Sequence, residues 1–174
     1  VILGAIVIFA LLGKLTDVVI TYLRGQIDAG VDAIQVFDSW GGTLSEADWR
    51  VFSGPYTQKI FQALEDTGVP RIHYINYGGH LVEASAELSC EVLSVDWRTP
   101  LSDVRERTGG RYALQGNLDP GILRASPDVI REGVRQTLES YGEGPGLIFN
   151  LGHGITPGHL SRARVSGAAA APPP

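Results

Sequence analysis

Five short apolar runs, four of them followed by a stretch with helical spacing, set the pattern of this 174-residue chain. Apolar positions that repeat every three to four residues indicate amphipathic helices, and short apolar runs bounded by Gly, Asn or Asp are typical of buried strands. The predicted strands cover residues 33–37, 71–76, 91–96 and 112–115, and the run that starts at Leu147. The predicted helices cover residues 17–29, 80–89 and 102–108, a stretch from Ser45 to Leu64, and residues 127–141, with Ser126 as N-cap and Leu138 on the buried face.

Strands that alternate with helices through short connections predict a parallel sheet covered by helices, because each crossover returns right-handed over one face. A barrel and an open doubly wound sheet both fit this order. The open sheet usually carries a Gly-x-Gly-x-x-Gly turn, and the nearest match, Gly152-His153-Gly154, has Pro157 where the third glycine belongs. Polar residues at several strand ends favour the barrel, which has eight strands in about 250 residues. The expected fold class is therefore α/β, an incomplete (β/α)8 TIM barrel with about the last five β/α units.

The composition is that of an ordinary globular chain and excludes one class of partner. Hydrophobic residues make up 44% and charged residues 19% of the chain, unlike disordered chains, which are poor in apolar groups. The net charge is −5 and the 14 Lys and Arg residues are scattered, so no basic stripe predicts binding to nucleic acid. A single cysteine, Cys90, cannot form an internal disulfide. This fits a reducing compartment, and we expect a cytoplasmic location.

Both ends of the chain differ from its middle. Residues 1–12 are apolar but shorter than the roughly 20 residues that span a bilayer, and no basic segment precedes them as in a secretory leader. We interpret residues 1–9 as the end of a buried strand or helix exposed by truncation, with a short membrane-surface anchor as the alternative. Residues 158–174 are rich in Ala and Pro, and we expect them to form a divergent, disordered tail.

Candidate chemistry gathers where the predicted strands end. The last run delivers His153 between Gly152 and Gly154, which places a titratable ring where backbone can approach a ligand closely. Other candidates follow the earlier runs: Asp38, Ser39, Trp40, Tyr77 and Asn117.

Each of these candidates also has a purely structural interpretation. Ser39 is compatible with a loop or helix cap, and Asp38 with a capping or buried partner. Asn117 fits turn chemistry, because its amide can bond the nearby backbone. Trp40 and Tyr77 are as compatible with a pocket wall as with stacking on a flat ligand. The residues alone therefore leave both interpretations open.

Four motifs together resemble a known family. They are Val36-Phe37-Asp38-Ser39-Trp40-Gly41-Gly42, Val95-Asp96-Trp97, Leu114-Gln115-Gly116-Asn117-Leu118-Asp119-Pro120 and Phe149-Asn150-Leu151-Gly152-His153-Gly154-Ile155. Their order and spacing resemble uroporphyrinogen decarboxylase over residues 10–157. The resemblance implies a barrel enzyme, a carboxy-lyase that needs no metal or organic cofactor. It implies conversion of the four acetate side chains of uroporphyrinogen III to methyl groups, giving coproporphyrinogen III in haem biosynthesis.

The resemblance assigns roles to two residues of this chain. Ser39 and His153 match family positions that contact the substrate, and a hydroxyl and an imidazole are suitable donors to carboxylates. The family's arginine cluster, aspartate and tyrosine lie upstream of every matched motif, so no catalytic residue is assigned here. We therefore expect uroporphyrinogen as the small-molecule partner, a homodimer for full-length members, and little or no activity for this chain alone.

Two alternatives belong to other functional classes. Zinc-dependent corrinoid or thiol methyltransferases of the same superfamily need a His-x-Cys pair at a strand end, because zinc activates thiols through thiolate and imidazole ligands. Here His73 is followed two residues later by Ile75, and Cys90 falls at a predicted helix end. The third hypothesis is a non-catalytic remnant whose exposed strand edges drive self-association.

Overall fold

A computed structural model describes residues 2–155, and it places every predicted apolar run in one sheet. The strands are β1 (Ile34–Asp38), β2 (Arg71–Ile75), β3 (Val92–Val95), β4 (Ala113–Leu118) and β5 (Leu147–Leu151). The helices are α1 (Ile2–Asp28), α2 (Glu46–Phe52), α3 (Gly54–Gln62), α4 (Val82–Ser85), α5 (Leu101–Arg107) and α6 (Pro127–Tyr141). All strand pairs are parallel and run in the order β1-β2-β3-β4-β5. The expected α/β class, with five parallel strands that alternate with helices, is confirmed.

The register of the strands separates two faces of the sheet. Val36, His73, Leu93, Leu114 and Leu147 lie in one lateral row that packs against the helices. The neighbouring row consists of Phe37, Tyr74, Ser94, Gln115 and Ile148. Because successive side chains of a strand point to opposite faces, this second row lies on the face away from the helices.

Several helix bounds differ from the sequence-based prediction, each for a local reason. The stretch from Ser45 is two helices that meet at Ser53, since Pro55 lies at the start of α3 and favours a new first turn. The helix predicted over residues 80–89 is reduced to a 3-10 turn (Gly78–Leu81) followed by α4. On α6, Leu138 is 44% exposed, and the small Gly133 and Thr137 with Tyr141 form the buried face instead. The tail predicted over residues 158–174 lies outside the described residues.

Helix α1 starts fifteen residues earlier than the spacing predicts, at Ile2 instead of Asp17. Leu23 packs with Ile34, Ile60 and Leu64 in a small core beside β1. The preceding turns of α1 leave large apolar side chains such as Val7 and Leu11 exposed. By length and composition, residues Ile6–Asp28 are long and apolar enough to cross a membrane, and 11% of an 18-residue stretch within them is buried inside the structure. This corrects the expectation that the apolar stretch is too short for a span, because the apolar helix does not end at residue 12 but continues to Asp28.

His73 is a buried polar group in the helix-facing row of the sheet. Its ring lies 5.8 Å from that of Phe61 and 6.4 Å from that of Trp49, between centroids. Within residues 2–155, His73 Nε2 has no hydrogen-bond partner, and His73 lines a small cavity of about 30 Å³ together with Ser85 and Thr99. Burial lowers the pKa of His73 to about 4, and the charge of Asp38 only partly opposes this effect.

This burial predicts a pH-dependent stability. The folded-state pKa of about 4 lies below the ordinary value of 6.5, so between those pH values the unfolded chain binds a proton that the folded chain excludes. The free energy of unfolding should therefore fall as the pH decreases from 6.5 to 4, by about 3 kcal/mol at most. Urea unfolding at several pH values measures this slope. His73→Phe should flatten it, whereas His80→Gln, which removes an exposed histidine, should not; equal slopes in wild type and His73→Phe would contradict the assignment.

Candidate substrate-binding cleft

A cleft of about 490 Å³ opens on the sheet face away from the helices, toward the carboxyl ends of the strands. Ser39 and His153, the two residues that the sequence motifs single out most strongly, both line it. The other lining residues are Gln35, Phe37, Tyr74, Ser94, Gln115, Asn150, Leu151, Gly154 and Ile155. Parallel strands bring their carboxyl ends to one edge, which explains why residues so far apart in sequence meet here.

The end of β1 sends two adjacent polar residues in opposite directions. Asp38 faces the helices, where its Oδ2 accepts hydrogen bonds from Trp49 Nε1 at 3.0 Å and from Ser53 Oγ at 2.6 Å. Ser39, the next residue, is exposed and lines the cleft. Because successive side chains of a strand point to opposite faces, Asp38 bonds Trp49 and Ser53 on the helix side, whereas Ser39 lines the cleft.

His153 is held by close packing at the end of β5. Gly152 N donates to Leu118 O at 2.8 Å, and Tyr74 Oη donates to Gly152 O at 3.0 Å. A Cβ on Gly152 would lie 2.3 Å from Trp97 N, so this approach of β5 to the β3 end requires glycine. The ring of His153 meets that of Trp97 edge to face, with centroids 5.8 Å apart. Trp97 and Gly152 therefore fix where the imidazole stands.

The floor of the cleft is polar, which sequence reasoning missed. Gln115 Nε2 donates to Gln35 Oε1 at 3.1 Å and to Ser94 Oγ at 3.0 Å, across strands β1, β3 and β4. Burial, reinforced by the charge of Asp96, raises the pKa of Tyr74 to about 12. Tyr74 therefore remains a neutral hydroxyl near pH 7. The available signal was a polar residue in three of the apolar runs, Gln35, Ser94 and Gln115, at positions that share one face of a parallel sheet.

Asn117, Tyr77 and Trp40, the remaining candidates, are not among the residues that line the cleft. Asn117 is buried, and its Nδ2 donates to Asp96 O at 2.8 Å and to Thr99 O at 2.7 Å. Both amide hydrogens are thus committed to backbone, in agreement with a structural role. Trp40 is 79% exposed, and Tyr77 is half exposed beside the end of β3. The structure therefore brings together Ser39 and His153 but not the other four candidates.

Three side chains stack where β2 and β3 end. The Arg98 guanidinium carbon lies 3.6 Å from the ring centroid of Trp97 and 3.8 Å from that of Tyr77. Arg98 Nη1 also donates to Asp96 Oδ2 at 3.4 Å, and Asp96 accepts from the backbone N–H groups of Tyr77 and Arg98. Because Trp97 contacts His153, this stack adjoins the cleft.

Metal-ligating residues are dispersed in the described part of the chain. Among residues 2–155 no three His, Cys, Asp or Glu side chains are grouped so that they could hold a metal ion. Cys90 is buried in the connection between α4 and β3, and burial raises the pKa of its thiol to about 12. His73 lies on the helix-facing side of β2, away from the cleft.

Comparison with known proteins gives a consistent result. The family model described as Uroporphyrinogen decarboxylase (URO-D) matches residues 7–162. A relative named uroporphyrinogen decarboxylase from Hydrogenovibrio crunogenus is 50% identical over 151 residues, which is 84% of this chain and 43% of that protein. One of the same name from Saccharophagus degradans is 51% identical over 152 residues, 85% of this chain and 43% of that protein. The chain thus spans less than half the length of these curated relatives.

A solved structure is also similar. It is a methyltransferase from Methanosarcina mazei, with a TM-score of 0.71 and 23% identity over 88% of this chain and 47% of that one. At this level of identity the likeness shows the fold alone.

Proposed function

Because this chain belongs to the uroporphyrinogen decarboxylase family, we propose that it contributes the carboxyl-side half of the substrate site in a decarboxylase that converts uroporphyrinogen III to coproporphyrinogen III. The observation that carries this proposal is the presence of Ser39 and His153, the two motif residues, in one cleft. The relatives are named uroporphyrinogen decarboxylase, and we infer a cytoplasmic location and a homodimeric full-length protein. Although α1 is long and apolar enough to span a bilayer, its Leu23 packs into the core beside β1, so we infer no membrane partner.

The reaction sets the tasks for the site. Each round removes carbon dioxide from an acetate arm and adds a proton to the remaining methylene, which becomes a methyl group. Protonation of the pyrrole first makes the ring an electron sink for the pair left by the breaking carbon–carbon bond, and the ring loses that proton again once the methylene has been protonated. The protein must hold a polyanionic macrocycle, exclude water and stabilise the positive charge that develops on the ring.

The cleft residues suit the binding part of this task. Ser39 Oγ–H donates to a carboxylate, and a protonated His153 donates a charge-assisted hydrogen bond, roughly twice as strong as a neutral one. Gln115 already donates to both Gln35 and Ser94, so the three residues form a preorganised neutral floor. No carboxylate is among the lining residues of the cleft, so the group that stabilises a charged ring is expected in the part of the relatives that this chain does not span.

The proposal predicts binding without turnover for this chain alone. The purified chain should bind uroporphyrin but yield no coproporphyrinogen from uroporphyrinogen under anaerobic, reducing conditions. Co-expression with the part of the Hydrogenovibrio relative that lies outside the 43% matched by this chain should restore turnover. A double variant, Ser39→Ala with His153→Ala, should not restore it.

The relative's own segment that this chain matches, co-expressed in the same way, is the matched control. If that control restores turnover and this chain does not, the proposed function is wrong. Turnover by the chain alone would contradict the proposed division of the site.

A further inference from the structure

We propose that Arg98 binds a carboxylate of the substrate at the rim of the cleft, an inference that rests on the proposed function and extends its site by one residue. Arg98 does not line the cleft itself. It stands one residue beyond Trp97, whose ring contacts His153, at the carboxyl end of β3. A tetrapyrrole with carboxylates on every ring extends beyond a cleft that holds its centre, so its outer carboxylates reach the rim.

The guanidinium of Arg98 is preorganised for an anion. The rings of Trp97 and Tyr77 lie on it at 3.6 and 3.8 Å, which restricts the side chain by cation–π attraction before any ligand binds. An arginine that is already ordered loses less conformational entropy when it forms hydrogen bonds. Its side chain is still 35% exposed, so an incoming carboxylate can reach it.

Arg98 also keeps most of its donors available. A guanidinium has five N–H donors, and within residues 2–155 the only acceptor of the Arg98 side chain is Asp96 Oδ2, at 3.4 Å from Nη1. Asp96 is itself satisfied by the backbone N–H groups of Tyr77 and Arg98. The ion pair is therefore long, and the fork of the guanidinium remains open to a bidentate carboxylate.

Arginines elsewhere in the described chain are committed to closer partners. Arg50 bonds Glu87 through two nitrogens at 2.7 and 2.8 Å, and Arg71 bonds Glu91 at 2.5 Å. Arg71 also lies at the opposite, amino-terminal end of β2. Arg98 thus has available N–H donors, a side chain that is already restricted by stacking, and a position beside the cleft. Its positive charge matters for a polyanionic ligand, because the chain as a whole has a net charge of −5 and repels such a ligand.

The test measures uroporphyrin binding to the whole chain by quenching of tryptophan fluorescence. Arg98→Gln should weaken binding about tenfold, the low end for a charge-assisted hydrogen bond at a partly exposed site. It should also flatten the decrease in affinity with added NaCl, because one screened contact is lost. Arg98→Lys keeps the charge but not the fork, and should give a smaller loss of about threefold.

Arg111→Gln is the matched control. It removes the same charge from an arginine near Tyr112, next to the amino-terminal end of β4, and should leave affinity unchanged. The inference is overturned if Arg98→Gln binds like wild type while His153→Ala binds weakly, or if Arg98→Gln and Arg111→Gln lose affinity equally. Absence of binding by the wild-type chain would instead overturn the proposed function. Thermal unfolding shows whether each variant is folded. If Arg98→Gln does not fold, Arg98→Lys still tests whether the guanidinium geometry contributes to binding.

Discussion

Gly152→Ala is expected to reduce uroporphyrin affinity at least about a hundredfold while the sheet remains folded. A Cβ at this position would lie 2.3 Å from Trp97 N and 2.8 Å from Trp97 Cβ. Both contacts involve backbone or the first side-chain atom, which cannot rotate away, so the end of β5 or the β3 loop has to shift. Either shift moves His153 relative to Ser39, and sub-ångström placement governs binding by preorganised donors. Fluorescence quenching measures the loss.

Gly154→Ala provides the control on the other side of the same histidine. Nothing lies within 4 Å of a Cβ built there, so the backbone need not shift. Although Gly154 lines the cleft, this variant should therefore lose much less affinity than Gly152→Ala, whose added methyl group would overlap Trp97. Equal affinities would show that this packing does not position His153.

Asp38→Ala is expected to lower the free energy of unfolding by about 4 kcal/mol. The substitution removes the acceptor of both Trp49 Nε1 and Ser53 Oγ, and hydrogen bonds to a charged group contribute roughly 1.5–3 kcal/mol each. Trp49 is 2% exposed, so its indole N–H would be left without a partner in the core. Urea unfolding followed by circular dichroism measures the change.

Two neighbouring variants make this prediction specific. Asp38→Asn keeps an oxygen that can accept, and should lower the free energy of unfolding by only about 1–2 kcal/mol. Ser39→Ala should change stability by less than about 0.5 kcal/mol, because the side chain is exposed, but should weaken uroporphyrin binding. If Asp38→Ala weakened binding without affecting stability, Asp38 would belong to the cleft and not to the helix side.

The strands were predictable because each depends on a local signal. A short apolar run stands out against its polar neighbours, and all five strands begin within one residue of the prediction. β4 is the exception at its other end: Gly116 and Asn117 indicate a turn, yet the strand continues to Leu118. The amide of Asn117 bonds the carbonyls of Asp96 and Thr99. Those carbonyl groups belong to the loop after β3, so the sequence around Asn117 does not indicate them.

The same distinction applies to the cleft. Ser39 and His153 could be found because their motifs resemble a family. For Asp38, the sequence allowed both a structural and a functional role and could not distinguish between them. The choice follows from the side of β1 on which Trp49 lies, which is a tertiary fact. The stack of Tyr77, Arg98 and Trp97 was equally out of reach, because its rings come from two loops. The identity of a residue indicates which chemistry its side chain can perform, whereas tertiary packing decides which side chains meet in one site.

The strand order, in which each strand pairs only with its neighbours in sequence, has a consequence for folding. Each strand pairs with the strand that precedes it in the chain, so the sheet has a low contact order for a β structure. As the polypeptide leaves the ribosome, every new unit finds its template already in place, and growth proceeds vectorially from β1 to β5. Since β5 follows the other four described strands in the chain, the segment that carries His153 joins the binding surface after the segment that carries Ser39.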